Sequence, residues 1–343
     1  MNAFKKKFAE NEILSSYNIA RNCDKVFVEA VTHEQYEILK SKESFIVSKN
    51  ESLIVYKNTK LTLEENDVIF CHSSFINELF YLLKKVKTLR NIKLVTSQSD
   101  VSITKKLFSK KPKCISEWYS ININYKHPNL IPIPLGIAND YSPKNLRYLD
   151  FSKFLQESRE VVNLIYCNFN PNTNNKERLG IYKLFEGNPL FKFEKATLSI
   201  NDYITRLSEF KFVLAPCGNG FDTHRLWEAF YLGAIPIIRK HETYSYLDER
   251  NVLIVEEYSK INQDHLEKFL EDYQPIDEKL LKVRWWIDSI NKNKINNGNI
   301  AIIQETKILT IYRYYEQLFL FKSASYFKKV KYYIKKIINK LIN

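Results

Sequence analysis

The sequence predicts an α/β protein with two domains, each built on a parallel sheet covered by helices on both faces. Strand-length apolar runs alternate with helix-periodic segments along most of the chain. The 343 residues are long for one core, and domains of roughly 150 residues are the usual size. A βαβ unit stands out at residues 211–238, KFVLAPCGNGFDTHRLWEAFYLGAIPII. In this architecture ligands bind at the carboxyl ends of the strands, so polar residues after strands become the site candidates.

The first half contains seven predicted strands and three predicted helices. The strands are Val26–Val28, Phe45–Val47, Leu53–Tyr56, Asp67–Cys71, Ile92–Thr96, Cys114–Ser116 and Leu130–Ile133. The helices cover residues 33–41 and 75–86, and a third begins directly after Asp100. His72 and Asp100 each follow a strand, which predicts that both lie on the ligand-facing rim.

The second half follows a polar crossing segment, residues 138–145. Its predicted strands are Asn163–Phe169, Phe212–Ala215, Ile235–Ile238 and Asn251–Val255. Its predicted helices cover residues 176–185, 201–209, 223–232, 264–273 and 300–321. We therefore predict domains at residues 1–145 and 146–298, then a helix at 299–321 packed on the body and a tail at 322–343.

Composition narrows the protein class. No apolar run approaches the ~20 residues of a membrane-spanning helix, and the first residues lack a signal-peptide pattern. The five cysteines include no C-x-x-C pair, which favours reduced thiols. We expect a cytoplasmic protein.

The tail carries about half of the net charge of +13. Residues 322–343 hold seven lysines and no acidic residue, and their apolar positions recur at helical spacing. The pattern predicts an amphipathic helix on the anionic inner face of a membrane. The alternative is an ordinary helix docked on the core. Nucleic acid is not expected as a partner, since no motif elsewhere supports it.

Several familiar motifs are absent. The sequence has no P-loop, no G-x-G-x-x-G after a strand, no D-x-D pair, no metal-ligand spacing and no G-x-S-x-G elbow. P-loop NTPases are thereby excluded, and we expect neither a metal nor a resident cofactor.

The loop of the βαβ unit has the chemistry of an anion site. Gly218 and Gly220 precede a helix whose N-terminus favours negative charge, and Arg225 and Glu228 share one face of that helix. A diphosphate and a ribose would suit these groups. The alternative is an intrahelical ion pair between Arg225 and Glu228.

Three segments resemble exostosin-like glycosyltransferases of GT-B architecture. The main one is residues 212–238, with PCGNGFDTHRLWEAFYLGAIPII. Residues 163–178, with LIYCNFNPNTNNKER, and 131–139, IPIPLGIAN, match in the expected order. The resemblance is strongest over residues 130–260. It implies two Rossmann-like domains facing a cleft and metal-independent sugar transfer from a nucleotide-sugar donor, with a UDP-sugar favoured.

The resemblance also implies roles for individual residues. Arg225 would neutralise the donor diphosphate, and Glu228 would hold the ribose hydroxyls. The remaining donor-binding residues would be Arg178, Lys176, Gly218, Asn219, Gly220, Asp222 and His224.

An inverting transfer needs a base, which should come from the first domain. Asp100 is our first choice because a carboxylate at that strand end could reach the acceptor, and His72 is the second. Asp100 could instead cap a helix, and His72 could be a structural hydrogen-bonding residue.

The sequence as a whole thus predicts a glycosyltransferase that extends a surface glycan such as lipopolysaccharide, capsule or another lipid-linked glycan. A GT-B-type nucleotide-sugar epimerase or phosphorylase would need no such acceptor. A membrane-surface binding module that keeps the fold without the chemistry is the alternative outside enzymes.

Overall fold

The computed structural model describes Phe4 and residues 7–154, 161–292 and 298–305. The strands are β1 (Lys25–Val31), β2 (Ser44–Lys49), β3 (Ile54–Asn58), β4 (Lys60–Glu64), β5 (Val68–His72), β6 (Ile92–Ser97), β7 (Ile103–Thr104), β8 (Ile115–Ser120), β9 (Ile123–Asn124), β10 (Leu130–Pro132), β11 (Val162–Cys167), β12 (Phe191–Phe193), β13 (Phe210–Leu214), β14 (Ile235–Arg239), β15 (Leu253–Val255) and β16 (Ile300–Gln304). The α-helices are α1 (Ser16–Arg21), α2 (His33–Leu39), α3 (Ile76–Leu83), α4 (Lys105–Phe108), α5 (Tyr148–Lys153), α6 (Gly180–Leu184), α7 (Ile200–Glu209), α8 (His224–Tyr231), α9 (Gln263–Glu271) and α10 (Val283–Asn291). A π-helical turn covers Asn175–Leu179, and 3₁₀ turns cover Ser73–Phe75, Glu242–Tyr244, Tyr258–Lys260 and Glu278–Leu281.

The first domain is a mixed sheet with the strand order β10-β8-β6-β5-β1-β3-β2. The five strands from β10 to β1 are parallel, whereas β3 runs antiparallel to both of its neighbours, β1 and the edge strand β2. The sequence predicted a parallel sheet here, and only the pairings of β3 at the edge differ from that prediction. The connection between β2 and β3 is too short for a parallel crossover and forms a hairpin instead.

The second domain is a five-stranded sheet with the order β12-β11-β13-β14-β15, and every pair in it is parallel. Chain order reverses between β11 and β13. In doubly wound sheets the crevice beyond the carboxyl ends of such strands is where ligands bind. The α/β prediction is confirmed, and the protein has two Rossmann-like domains.

Two predicted helices differ from the structure. After Asp100 the chain enters β7, and the next helix begins at Lys105 with Thr104 as its cap. Residues 300–304 form β16, paired antiparallel with β4, rather than a helix. Ile300 and Ile302 are exposed while Ile303 is buried, which is the alternation of a strand with one face on the core. The rest of the predicted helix, residues 306–321, and the predicted tail at 322–343 lie outside the described residues.

One hydrophobic cluster joins the two domains. It contains Val95 and Tyr119 from the first sheet and Trp227 and Ile238 from the second domain. The N-terminal segment reinforces this junction, since the Leu14 N–H donates to the Tyr231 hydroxyl at 3.0 Å. Among the described residues, no helix has both the length and the apolar character that crossing a bilayer requires.

Gly136 lies against the Leu14 backbone at this junction, so we expect that adding a methyl group there lowers stability. Its φ is +72°, and a Cβ there would lie 2.2 Å from the Leu14 carbonyl oxygen. We expect Gly136→Ala to lower the free energy of unfolding by about 2–4 kcal/mol, because backbone strain adds to overpacking. Gly187→Ala is the matched control, with φ +75° and open space around its Cβ, and should lose only about 1 kcal/mol. Urea unfolding of both variants measures the difference, and equal losses would contradict this account.

Candidate functional site

A cavity of about 580 Å³ lies between the domains, at the carboxyl ends of β6, β8, β11 and β13. Residues of both domains line it. Most of the site residues predicted from the sequence are among them: Asp100, Arg178, Gly218, Asn219, Gly220, Asp222, His224, Arg225 and Glu228.

Arg178 is a buried cation held by backbone carbonyls. Its Nε donates to the Cys217 oxygen at 2.9 Å, and its terminal nitrogens donate to the Asn170 and Pro216 oxygens at 3.2 and 3.3 Å. Burial and then the charge of Arg225 lower the pKa of Arg178 to about 10, so it stays protonated at neutral pH. A guanidinium has more N–H groups than these carbonyls use, which leaves donors for a ligand.

Arg225 lies in the first turn of α8, and its charge acts on Arg178. Within the described ranges, neither guanidinium forms an ion pair with a carboxylate, although many other arginines do. The buried Nε of Arg225 has no hydrogen-bond partner there either. Two guanidiniums that act on each other electrostatically and form no ion pair with a described carboxylate favour the binding of an anion.

Glu228 is buried, and the structure gives it partners other than Arg225. Its two carboxylate oxygens accept from the Tyr203 hydroxyl at 2.7 Å and from the Leu146 N–H at 3.3 Å. The intrahelical ion pair that the sequence left open does not form. Because a carboxylate has further lone pairs, Glu228 can still accept from a ligand hydroxyl.

The two loop glycines make room for protein side chains. A Cβ at Gly218 would lie 3.2 Å from a terminal nitrogen of Arg178, and one at Gly220 would lie 2.7 Å from the side-chain nitrogen of Asn122. The sequence predicted that these glycines admit a ligand. The contacts show that the space beside Gly218 and Gly220 is taken by one side chain from each domain, Arg178 and Asn122.

Asp222 and His224 fasten this loop to the segment that crosses between the domains. Asp222 is buried and accepts from the Leu135 N–H at 2.8 Å and the Trp227 Nε1 at 3.0 Å, while burial raises its pKa to about 7. The Nδ1–H of His224 donates to the Gly136 oxygen at 2.8 Å, since a carbonyl can only accept. In the neutral ring this leaves Nε2 as a proton acceptor.

Asp100 is an exposed carboxylate on the first-domain wall of the cavity. The turn before it is fixed by Gln98, which has φ +65° and pairs its side-chain amide with both backbone groups of Ala30 at 2.8 and 2.9 Å. The helix-cap alternative for Asp100 fails because Thr104 caps α4.

His72 and Lys176 do not line the cavity. His72 is the last residue of β5, and its Nδ1 accepts from the Ser74 N–H at 3.3 Å, capping a 3₁₀ turn. Lys176 is exposed and faces a second cavity of about 440 Å³ beside Glu177 and Arg239. His72 therefore fits the structural alternative that the sequence left open.

Asn122 and Tyr203 are cavity residues that the sequence did not single out. Asn122, just after β8, accepts from the Asp222 N–H at 2.9 Å, and Tyr203 binds Glu228. The strand-end rule would have found Asn122 had β8 been predicted at its full length. In the described part of the chain, no group of three or more His, Cys, Asp or Glu side chains is placed to hold a metal ion.

His72 predicts a pH dependence of stability. Burial lowers its pKa from its ordinary value of 6.5 to about 4, so the unfolded chain takes up a proton first as the pH falls. The free energy of unfolding should decrease between pH 6.5 and about 4, and His72→Asn should reduce that slope. Urea unfolding at stepped pH measures it, with His33→Asn at an exposed histidine as the control. An unchanged slope in His72→Asn would contradict the prediction.

Comparisons with known proteins give limited structural similarity. An α1,3-fucosyltransferase aligns with a TM-score of 0.36 and 13% identity, over 66% of this chain and 76% of its own. An α-glucosyltransferase in complex with UDP-glucose and DNA containing an abasic site aligns with a TM-score of 0.29 and 10% identity, over the same shares. No protein-family model and no curated protein sequence matches the chain. Membership of the exostosin-like family therefore stays a prediction.

Proposed function

We propose that this protein is a glycosyltransferase that moves a sugar from a nucleoside-diphosphate donor to a hydroxyl group of a glycan. The observation that carries the proposal is the pair of guanidiniums, Arg178 and Arg225, at one cavity with no ion-paired carboxylate among the described residues. They lie beyond the carboxyl ends of β11 and β13, between which chain order reverses, and doubly wound sheets bind nucleotides at this position.

The two cations suit the chemistry of a leaving diphosphate. When the sugar–phosphate bond breaks, negative charge develops on the departing oxygen. Arg178 is already held by three backbone carbonyls, so it can stabilise that charge with little reorganisation, and Arg225 adds a second positive charge. The N-terminus of α8, which begins at His224, adds its dipole in the same place. These groups would allow transfer without a metal ion.

Glu228 is proposed to hold the ribose. Its carboxylate is fixed by Tyr203 and Leu146, so it is oriented before the nucleotide arrives. A preorganised acceptor loses little side-chain entropy when two vicinal hydroxyls donate to it. The sequence resemblance favours a UDP-sugar as the donor.

Asp100 is proposed as the base of an inverting transfer. Among the described residues, the carboxylates lining the cavity are Asp100, Asp222 and Glu228. Asp222 and Glu228 are buried and already accept protein hydrogen bonds, whereas Asp100 is exposed. Only Asp100 can therefore approach an acceptor hydroxyl without breaking contacts that hold the site together.

The acceptor wall supports a carbohydrate rather than an apolar substrate. The first domain lines the cavity with amide and hydroxyl side chains, which match sugar hydroxyls as donors and acceptors: Ser16, Gln98, Ser99, Asn122, Asn139 and Tyr141. A surface glycan such as lipopolysaccharide or capsule is the proposed acceptor class. An epimerase acting on the same donor would convert the nucleotide sugar with no acceptor present.

Removing one guanidinium tests the donor site. We expect Arg225→Ala to weaken binding of the tightest ligand among UDP, GDP and ADP by about 10- to 100-fold, since charge-assisted hydrogen bonds are lost. Arg206→Ala is the matched control, because this half-exposed arginine lies on α7 and pairs with Glu209 of that helix. Calorimetric titration measures both. Wild-type affinity in Arg225→Ala, or no nucleotide binding by the native protein, would overturn the proposal.

Changing Asp100 tests the chemistry separately. Asp100→Asn should lower kcat by about 10²- to 10⁴-fold while nucleotide affinity stays at the native value, because the lost group acts on the acceptor. Transfer of a radiolabelled sugar to a panel of saccharides measures the rate. A native rate would remove Asp100 as the base and leave His224, with its free Nε2, as the next candidate.

A further inference from the structure

Two consecutive residues, Glu177 and Arg178, hold the backbone of Cys217 by both of its polar groups. Glu177 Oε1 accepts from the Cys217 N–H at 3.1 Å, and Arg178 Nε donates to the Cys217 oxygen at 2.9 Å. Cys217 directly precedes the glycine loop at Gly218. This pair therefore holds the start of the loop, while Asp222 and His224 hold its other end.

Glu177 and Arg178 lie on different sides of the loop. Arg178 lines the cavity between the domains, whereas Glu177 lines the smaller cavity that also contains Lys176. The π-helical turn at Asn175–Leu179 carries both residues, and it starts after Asn174, whose φ is +135°. π-helical turns are rare in proteins as a whole, and those that occur are often at functional sites.

Glu177 also connects the loop to two other elements. Its Oε1 accepts from the Tyr258 hydroxyl at 2.8 Å, and its Oε2 accepts from a terminal nitrogen of Arg239 at 2.8 Å. Arg239 ends β14, and Tyr258 begins a 3₁₀ turn after β15. The Glu177 side chain is only 10% exposed, whereas Arg239 is 45% exposed, so the hydrogen bonds from Cys217 and Tyr258 are the better shielded contacts of this carboxylate.

We propose that Glu177 is a positioning residue for the diphosphate site. It does not touch the nucleotide. It fixes the Cys217 backbone against β14 and the turn at Tyr258, and this in turn fixes the carbonyl oxygens that orient Arg178. The inference rests on the proposed function, because it assigns Glu177 to the same donor site.

These contacts give an acidic residue beside Arg178 a structural role at an anion site. Glu177 pairs with Arg239, and its hydrogen bonds order a loop at the cavity that both guanidiniums line. Removing the carboxylate leaves the Cys217 N–H without its acceptor, and the loop then loses its fixed relation to Arg178.

The test compares Glu177→Ala and Glu177→Gln with the native protein, using the nucleoside diphosphate that binds tightest among UDP, GDP and ADP. We expect Glu177→Ala to weaken binding by about 10-fold or more. Glu177→Gln keeps an acceptor for the Cys217 N–H and should recover most of the affinity. Glu256→Ala is the matched control, since Glu256 faces the same small cavity but forms an exposed ion pair with Lys240. It should bind as the native protein does.

A double-variant cycle separates positioning from general destabilisation. If Glu177 acts through Arg178, then Glu177→Ala adds little to the affinity loss caused by Arg178→Ala. Independent losses that add fully, or native affinity in Glu177→Ala, would overturn the inference. Thermal unfolding of each variant identifies a loss that comes from unfolding alone, which would also overturn it. If the native protein binds none of the three nucleotides, the proposed function itself fails, and that outcome is distinct from the others.

Discussion

The site depends on one constraint, which is that two like charges must be held close together without a carboxylate between them. A buried guanidinium is stable only if its N–H groups find acceptors. The carbonyls of Asn170, Pro216 and Cys217 serve this purpose for Arg178, so the surrounding charge stays positive. The loop geometry follows from it. The Arg178 guanidinium leaves little room for a side chain at Gly218, where a Cβ would lie 3.2 Å from it. Glu177 accepts from the N–H of the preceding residue, Cys217.

The second constraint is that the glycine loop at Gly218–Arg225 is fixed by the first domain as well as by its own. Asn122 accepts from the Asp222 N–H and packs against Gly220, while Asp222 and His224 bind the backbone of Leu135 and Gly136. Arg225 follows directly in sequence. The two domains are therefore connected at the cleft, because the loop that lines the cavity is also hydrogen-bonded to the first domain. Opening it would require breaking hydrogen bonds to buried groups, which is costly.

Much of the site followed from strand ends, and much of its detail did not. Parallel strands bring their carboxyl ends to one edge, so Asp100 and the loop at Gly218–Arg225 were predictable from sequence. The same rule also selected His72, which ends β5, caps a 3₁₀ turn and does not line the cavity. The pairing of β16 with β4 joins segments distant in sequence, which a local pattern does not encode. The β2–β3 hairpin is local, and the short connection between its strands could have indicated it. The purpose of Gly220 was also hidden, since its neighbour Asn122 is distant in sequence.

The three cavity carboxylates show how the environment, rather than residue type, divides the work. Asp222 accepts hydrogen bonds from the Leu135 N–H and the Trp227 Nε1–H, and its burial raises its pKa. Glu228 is oriented by Tyr203 and faces the arginine side of the cavity. Asp100 stands on the opposite wall at the end of a turn fixed by Gln98. Under the proposed function, the protein needs a joint between its domains, an acceptor for the ribose and a base, and these needs conflict if one group must meet them all. Separate partners for each carboxylate resolve that conflict, because each can then be fixed or left exposed as its own task requires.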